Sequence, residues 1–401
     1  MGTAWLRRLG LERRVGALAL GLFVYGFGQE LWFRYLPEYL RLLGASAFAV
    51  GAFGALKDLL DAAYAYPGGV LSDRLGSRNA LLLFGLLSAA GFALYLAWPS
   101  VPVLFLGLLL VMAWPSLGLP ATFAMIGEEL RGGRRIIGFT VQAVLKRVPI
   151  VLAPPVGGLL IERLGMRNGL RIGFAISVAL SIAMLLALRR AFREGERAAA
   201  PKETAPAPAV HLHRALRRLL IADCFVRLCE GLPDVFLVLW ALEVVRVSPV
   251  QFGLLTSVLM GTAILSYVPA AALSERAEKK WFVVLTYVFF TLFPVAVVLS
   301  HSFAQLAFAY IVGGLREIGE PARKALIVDL AEPLLRGRTV GLYYSIRGFA
   351  VAGAAAIGGA LWTVRPALTF AVAAALGALG TLFAAAFLPP KSSPRLAAVS
   401  P

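Results

Sequence analysis

Charged residues are scarce in this 401-residue sequence: they make up 15% of the chain, whereas hydrophobic residues make up 59% and the mean hydropathy is +0.80. A soluble domain carries about 25% charged and about 45–50% apolar residues, so this composition excludes a soluble protein, including a soluble multidomain enzyme. The chain also has only two cysteines, Cys224 and Cys229, within one apolar segment. Their position excludes a disulfide framework and a metal site built from cysteines. The three histidines fall in predicted loops, with nothing that places them together.

Apolar runs of about 20 residues, the length of helix that crosses about 30 Å of hydrocarbon, follow one another along the chain. Runs bounded by charged residues, proline or glycine predict twelve spans, at residues 15–39, 47–68, 79–98, 101–127, 136–161, 169–188, 216–244, 249–273, 281–300, 303–330, 339–362 and 367–388. The sequence therefore predicts an all-α polytopic membrane protein with twelve transmembrane helices.

Lysine and arginine give the chain a formal net charge of +17. On a membrane protein this excess indicates cytoplasmic loops rather than nucleic-acid binding. With the N-terminus inside, 24 of the 39 Lys and Arg fall in cytoplasmic loops, tails or the span ends next to them, 6 in or next to the opposite loops and 9 deeper inside spans. This distribution predicts a multi-pass protein of the cytoplasmic (inner) membrane with both termini cytoplasmic.

A polar stretch rich in alanine and proline separates span six from span seven and is typical of a flexible linker. It predicts an N-terminal six-helix bundle (1–190), a cytoplasmic linker (191–213) and a C-terminal six-helix bundle (214–401). The two halves repeat each other at an offset of 201 or 202 residues. The overlay matches Pro67 with Pro269, Asp73 with Glu275, Arg74 with Arg276, Lys146 with Arg347 and Gly157–Gly158 with Gly358–Gly359. Parallel six-span repeats are a transporter architecture, with the substrate near the bilayer midplane.

The loop between spans two and three reads GVLSDRLGSR, from Gly69 to Arg78. It resembles the loop signature of the major facilitator superfamily, G-x-L-x-D-R-x-G-x-R/K. A partial copy with Glu275 and Arg276 lies between spans eight and nine. The resemblance implies two pseudo-symmetric six-helix bundles and transport by alternating access.

The resemblance also implies a cytoplasmic latch that favours the outward-open state. Asp73 is expected to cap the start of span eleven near Val340, because a carboxylate is stabilised by the positive end of a helix. Arg74 is expected to reach Glu128 or Glu129. An ordinary positively charged loop is the alternative interpretation.

By pseudo-symmetry, Glu275 is expected to face the start of span five, and Arg276 to reach Asp329 or Glu332. The candidate latch residues are Gly69, Asp73, Arg74, Gly76, Arg78, Glu128, Glu129, Glu275 and Arg276.

Span five contains a second, partial resemblance. The run from Ala153 to Gly158 is similar to the G-P-x-x-G-G motif of antiporters in the same superfamily, with Ala153 in place of the first glycine. Span four lacks the arginine that many proton-coupled drug exporters carry there. Small residues that allow close helix packing are the alternative explanation.

Seventeen charged residues fall inside the predicted spans at least five residues from either end. Each costs about 2.5–3.5 kcal/mol at the bilayer midplane, so all of them facing lipid would cost roughly 40–60 kcal/mol. This exceeds any plausible folding stability, and the charges must face a polar interior or each other. Spans three, six, nine and twelve carry none of them, which fits the outer supporting helices that the resemblance implies.

Span seven carries Asp223, Arg227, Glu230 and Asp234 at spacings of four, three and four residues, within a helix face about 60° wide. One base cannot pair with three acids. Either a base from another helix completes the set, or at least one carboxyl group stays protonated. A carboxyl group that holds a proton is what a proton-coupled transporter needs, and Glu230 is favoured because it lies nearest the middle of the span.

Other spans carry charge pairs at helical spacing, which either fix helix rotation or contact a substrate. They are Glu30–Arg34, Lys57–Asp61 with Asp58 close by, Arg316–Glu320 and Glu320–Arg323. Lys146 and Arg347 have no acid within one turn of their own helices, which suits an anionic group or the excess acids of other spans. The candidate substrate-binding or coupling residues are Glu30, Arg34, Asp58, Asp61, Lys146, Arg227, Glu230, Asp234, Arg316, Glu317, Glu320, Arg323 and Arg347.

These features predict a proton-coupled secondary transporter of a small polar or charged solute, such as an organic anion or zwitterion. A proton-driven exporter of amphiphilic drugs is an alternative, which Glu30 and the span-five pattern favour. A lipid flippase or a substrate-sensing receptor on the same fold is an alternative from another class.

The sequence has no HExxH or Gly-x-Ser-x-Gly motif, so no enzyme is predicted. Besides the solute and the lipid bilayer, we expect a coupling ion but no cofactor, metal or nucleic acid, and a monomer.

Overall fold

The computed structural model describes residues 13–118, 122, 133–191, 212–276, 278–330 and 336–388. Within these ranges all regular secondary structure is helical. The α-helices are α1 (Arg13–Glu30), α2 (Leu36–Leu42), α3 (Ala47–Leu75), α4 (Ser77–Ala97), α5 (Val101–Val111), α6 (Gly133–Ala191), α7 (Arg214–Gly231), α8 (Leu237–Leu239), α9 (Pro249–Arg276), α10 (Lys279–Val298), α11 (Phe303–Gly314), α12 (Glu320–Asp329), α13 (Arg336–Val351), α14 (Ala354–Val364) and α15 (Pro366–Phe387). Shorter 3₁₀ or π segments are Phe33–Tyr35, Ala113–Leu117, Asp234–Phe236, Trp240–Val244 and Leu315–Glu317.

Within the described residues, each predicted span corresponds to one helix or to consecutive helical segments. Among the described residues, six helical stretches are long and apolar enough to cross a membrane: Arg78–Ala97, Arg147–Arg190, Pro249–Ser266, Lys279–Val298, Thr339–Val364 and Pro366–Phe387. In spans one, seven and ten, 3₁₀ segments divide the helical stretch, and the helices α1, α7 and α12 carry several charged residues. The range α6 contains two helices, one for span five and one for span six, which meet at Gly165, where the backbone is non-helical with a φ of 78°. Glycine reaches this backbone conformation without the steric cost that other residues bear.

The sequence repeat is visible in the helix boundaries. The 3₁₀ turn Phe33–Tyr35 reappears 201 residues later as Asp234–Phe236, and a short α-helical segment follows each turn directly. Helices α4 and α10 likewise begin 202 residues apart, as do α5 and α11. Because the same interruptions recur in the same order, the two halves of the chain are pseudo-symmetric.

The chain forms two compact units. The first comprises Met1–Ser46, Leu56–Ala205 and Arg246–Ser257, and the second comprises Ala47–Ala55, Pro206–Val245 and Val258–Pro401. Most of the predicted linker 191–213 lies outside the described residues. The division into 1–190, 191–213 and 214–401 therefore stays a prediction.

The core of the first unit is aromatic. The indole N–H of Trp32 donates to the Ser177 hydroxyl at 2.8 Å, which satisfies a polar group that burial would otherwise leave unpaired. The Trp32 ring packs edge-on against Phe92, Tyr95 and Phe174, with ring centroids 4.9–5.8 Å apart. These contacts join α4 and the second half of α6 to the turn between α1 and α2.

The core of the second unit lies among α7, α10, α12, α13 and α15. Its buried apolar residues include Leu216, Leu219, Val226, Val283, Phe290, Leu326, Ile327 and Ala384. Tyr287 and Tyr343 also belong to this core, and their hydroxyl groups point to a charged residue of α7. The candidate site is therefore enclosed by apolar packing.

Candidate functional site

Helix α7 places Asp223, Arg227 and Glu230 on one face, because residues three or four apart are neighbours on an α-helix. Asp223 is fully buried, whereas the side chains of Arg227 and Glu230 are 22% and 30% exposed. The helix ends at Gly231, and Asp234 is exposed in the following 3₁₀ turn. Asp234 therefore lies outside α7, and its place on the same face stays a prediction.

Asp223 is the most heavily contacted carboxylate of the described residues. Nη1 of Arg323 donates to both carboxylate oxygens, at 2.5 and 2.6 Å. The hydroxyls of Tyr287 and Tyr343 donate at 3.2 and 3.1 Å, and Arg347 Nη1 donates at 3.2 Å. A carboxylate offers about four acceptor sites, so these donors satisfy Asp223 completely.

Glu230 is held more loosely. Arg227, one turn earlier on α7, donates to its Oε2 at 2.5 Å. Arg316, from the 3₁₀ segment before α12, lies 3.5 Å from its Oε1. The base that completes this part of the α7 stripe therefore comes from another helical segment, which is the first of the two outcomes that the sequence left open.

Glu320, at the start of α12, connects these two groups. Its Oε2 accepts a hydrogen bond from Arg323 Nε at 3.0 Å and lies 3.7 Å from Arg227 Nη2. Its other oxygen lies 3.4 Å from the half-exposed Lys324. One continuous network therefore runs from Asp223 to Glu230.

We call this network the charged cluster. It consists of Asp223, Arg227, Glu230, Arg316, Glu320, Arg323, Lys324 and Arg347, together with Tyr287 and Tyr343. It contains three carboxylates and five cationic groups, so it carries an excess of two positive charges when every group is ionised. The side chain of Arg323 is only 2% exposed, whereas those of the other four cationic residues are 14–52% exposed.

Aromatic rings support the guanidinium groups of the cluster. The ring of Phe290 on α10 lies 5.3 Å from Arg227 and 4.9 Å from Arg316, and the ring of Phe293 lies 4.8 Å from Arg316. A cation over an aromatic face gains about 0.5–2 kcal/mol, and the ring restricts where the guanidinium group can move.

The structure assembles much of the predicted site and adds to it. Six of the predicted residues belong to the cluster: Arg227, Glu230, Arg316, Glu320, Arg323 and Arg347. Asp223, which the sequence placed on the α7 face but not among the candidate residues, is its centre. Tyr287 and Tyr343 gave no signal in the sequence, and Tyr287 lies on span nine, which was expected only to support the fold. Glu317 is adjacent in sequence to Arg316 and is partly buried.

Several of the predicted site residues of the first unit make close polar contacts. Glu30 and Arg34 form the predicted ion pair at 3.1 Å. Lys57 lies 3.1 Å from Asp58, whereas Asp61 accepts a hydrogen bond from the Ser116 hydroxyl at 2.7 Å. The predicted Lys57–Asp61 pair stays a prediction. The side chain of Lys146 lies outside the described residues.

The predicted latch is described only in part. Asp73 and Arg74 are exposed near the end of α3, Gly69 and Arg78 are partly buried, and Gly76 adopts a φ of 78°, which favours glycine. Glu128 and Glu129, and the side chains of Glu275 and Arg276, lie outside the described residues.

One expected latch acid has a described partner, and its expected contact with Arg276 stays a prediction. Asp329 pairs with Lys279 at 2.5 Å, between the end of α12 and the start of α10. Asp329 was expected to meet Arg276, which precedes Lys279 by three residues.

The glycines of the span-five pattern lie against backbone. A Cβ atom at Gly157 would lie 1.7 Å from the carbonyl oxygen of Leu31, and one at Gly158 would lie 2.4 Å from that of Pro249. Both distances are too short for any side chain. This observation supports close helix packing as the reason for these small residues.

The described residues contain no group of three or more His, Cys, Asp or Glu arranged to hold a metal ion. The chemistry that the charged cluster offers is the exchange of ion pairs and protons, together with the binding of charged groups by arginine.

Known proteins share sequence and fold with this chain. The family model of the Major Facilitator Superfamily matches residues 18–243 and 219–400. An uncharacterised MFS-type transporter of Methanocaldococcus jannaschii is 20% identical over 93% of this chain and 94% of its own length. An uncharacterised MFS-type transporter of Mycobacterium tuberculosis is 28% identical over 153 residues, so the match spans 38% of this chain and only 36% of that relative.

Solved structures share the fold at low sequence identity. A peptide transporter POT in complex with sulfate has a TM-score of 0.76 at 17% identity, with 93% of each chain covered. The nucleoside transporter NupG has a TM-score of 0.77 at 13% identity, with 93% of this chain and 99% of that chain covered. The predicted fold class, with two pseudo-symmetric six-helix bundles, is confirmed by these likenesses. With a family model that matches both halves, this chain belongs to the major facilitator superfamily and is a multi-pass membrane protein of a transporter family.

Proposed function

We propose that the protein is a proton-coupled secondary transporter that moves a small solute with a negatively charged group, an organic anion or a zwitterion, by alternating access. Its place is the cytoplasmic membrane, with both termini cytoplasmic. The charged cluster of the second unit is the observation that supports this proposal. No cofactor beyond the coupling ion is needed, and the monomer is the functional unit proposed.

The position of the cluster in a membrane unit favours a transport role. Charged residues within spans are expensive and commonly mark substrate or ion pathways. An ion pair has equal numbers of positive and negative charges. The charged cluster instead contains five cationic groups and three carboxylates. A bound anion would reduce this excess, so an anionic group on the solute fits the cluster better than a cationic one.

Glu230 is the proposed coupling residue. Its carboxylate is partly exposed and depends on two arginines, Arg227 and Arg316, for compensation. When those arginines turn to another anion, the Glu230 carboxylate loses its compensation inside the membrane. Proton uptake then removes its charge, because a low-dielectric environment disfavours an unpaired ion. Solute binding and proton binding are linked in this way.

The drug-exporter alternative gains little from the structure. Glu30, which favoured it, is paired with Arg34, and the span-five glycines are explained by backbone packing. The latch remains a proposal for the loop residues Gly69–Arg78 and their pseudo-symmetric counterparts.

Transport by purified protein in proteoliposomes tests the proposal. Labelled succinate, glutamate, glucose and tetraphenylphosphonium are supplied with and without a pH gradient of either direction. We expect the gradient to drive movement of an anion or zwitterion and Glu230→Gln to abolish this stimulation, while exchange of solute across the membrane continues. Glu243→Gln, an exposed carboxylate of the same span, is the matched control and should transport like the wild type.

Gradient-driven movement of tetraphenylphosphonium without movement of the anions contradicts the proposal and favours the drug exporter. Unchanged proton stimulation in Glu230→Gln contradicts the assignment of Glu230 as the coupling residue.

A further inference from the structure

Resting on the proposed function, we infer that Arg227 and Arg316 bind the carboxylate of the transported solute, and that this carboxylate displaces the Glu230 side chain from them. Glu230 is in this view an internal competitor that occupies the site when no solute is present.

The two carboxylates of α7 differ in how firmly they are held. Asp223 is fully buried and accepts from Arg323, Arg347 and two tyrosine hydroxyls. The Glu230 side chain is 30% exposed, with one contact at 2.5 Å and one at 3.5 Å. Displacing Asp223 would break five hydrogen bonds and leave Arg323 buried without it. Displacing Glu230 breaks two contacts and releases a side chain that already reaches the surface of the described structure.

Arg227 has an unused donor. Its Nε is buried and has no hydrogen-bond partner among the described residues, because Glu230 contacts Nη1 alone and Glu320 lies near Nη2. An arginine fork binds a carboxylate best through two parallel N–H groups. The pairing with Glu230 therefore leaves one N–H group of Arg227 without a partner among the described residues.

The arginines keep their places when Glu230 leaves. Phe290 lies under both guanidinium groups and Phe293 lies under that of Arg316, at 4.8–5.3 Å. These rings belong to α10 and do not depend on Glu230. Two positioned guanidinium groups suit a carboxylate in particular, because their planar forks match its two oxygens.

Removal of the internal competitor gives a distinctive result. If the Glu230 ion pair is closed about nine-tenths of the time, the apparent dissociation constant of a competing anion is about tenfold weaker than its intrinsic value. We therefore expect Glu230→Gln to bind the anion about tenfold more tightly than the wild type, although it removes a charged residue from the site.

The experiment measures binding by thermal unfolding of the purified full-length protein in detergent. The probes are acetate, succinate, glutamate and citrate, with inorganic phosphate as a second oxyanion and choline as a cation. Dissociation constants follow from the concentration dependence of the unfolding temperature, because a ligand stabilises the folded state in proportion to RT ln(1 + [L]/Kd). We expect a carboxylate to bind, Glu230→Gln to bind it about tenfold more tightly and Arg316→Gln to bind it at least about tenfold more weakly.

Two further variants guard against misfolding and unspecific effects. Arg316→Lys keeps the charge but removes the fork, and its unfolding temperature without ligand shows whether the site is intact. It should bind more weakly than the wild type while remaining folded. Glu243→Gln removes an exposed carboxylate of the same span and should leave the dissociation constant within about twofold.

Unchanged or weaker binding by Glu230→Gln overturns the inference, as does binding of phosphate or choline without binding of any carboxylate. The proteoliposome assay separates this result from failure of the proposed function. Proton-driven transport of a solute that lacks a carboxylate overturns the inference but leaves the transporter intact. Carboxylate binding without any proton-driven transport overturns the proposed function instead.

Discussion

Replacing Asp223 with asparagine removes the carboxylate at the centre of the charged cluster while keeping the size of the side chain. The guanidinium group of Arg323 stays 2% exposed and keeps only Glu320 as an anionic partner. Arg347 loses the carboxylate that lies 3.2 Å away.

The expected loss follows from the burial of the pair. Removing one partner of a buried ion pair costs about 3–5 kcal/mol, because the other charge remains in the interior without compensation. Asparagine offers one oxygen as an acceptor for the hydroxyls of Tyr287 and Tyr343, so one hydroxyl loses its hydrogen-bond partner. This loss adds about 1 kcal/mol. We therefore expect Asp223→Asn to lower the free energy of unfolding by about 4–6 kcal/mol.

The measurement is reversible unfolding in mixed micelles, followed by tryptophan fluorescence. Asp234→Asn is the matched control, since Asp234 is an exposed aspartate of the same span and should change stability by at most about 1 kcal/mol. The double variant Asp223→Asn, Arg323→Gln removes both charges. Its loss of stability should be smaller than the sum of the two single losses by an interaction free energy of about 2–3 kcal/mol.

A loss below about 1 kcal/mol for Asp223→Asn would refute the reasoning, because that is the size expected of an exposed pair. Strict additivity in the double variant would do the same. Either result would mean that water or rearrangement compensates Arg323 when its partner is removed.

Three further predictions concern single contacts. Tyr287→Phe should lower the unfolding free energy by about 1 kcal/mol, the value of one buried hydrogen bond, and a loss above about 3 kcal/mol would contradict it. Gly157→Ala should destabilise by about 1–3 kcal/mol in the same assay, because the new methyl group meets the Leu31 carbonyl, and wild-type stability would show that this backbone contact is absent. Lys279→Gln should cost at most about 1 kcal/mol at low salt and nothing measurable at high salt, since its pair with Asp329 is partly exposed; a salt-independent loss would indicate packing instead.

Much of the fold could be read from the sequence. The helical spans follow from the lengths of apolar runs, because a bilayer sets the length that a helix must have. The repeat followed from matches at a constant offset, and the 3₁₀ turns at Phe33–Tyr35 and Asp234–Phe236 show it again in the backbone. The α7 face carrying Asp223, Arg227 and Glu230 followed from helical periodicity, which is a local property of the chain.

Contacts between residues distant in the chain could not be predicted from local spacing. Ser116 donates a hydrogen bond to the carboxylate of Asp61, 55 residues earlier, which no local pattern indicated. Helix α7 ends at Gly231, so Asp234 lies in a 3₁₀ turn although its spacing fits the α7 pattern.

Only the tertiary structure shows which carboxylate of α7 is buried and which is partly exposed. By position in the span Glu230 is central, but the packing of α10, α12 and α13 around α7 gives Asp223 an arginine 100 residues away and two tyrosine hydroxyls. Periodicity determines which residues share a helix face, since it depends on the chain alone. Which of them is sealed by other helices, and which stays open to exchange, depends on long-range contacts that no local pattern encodes.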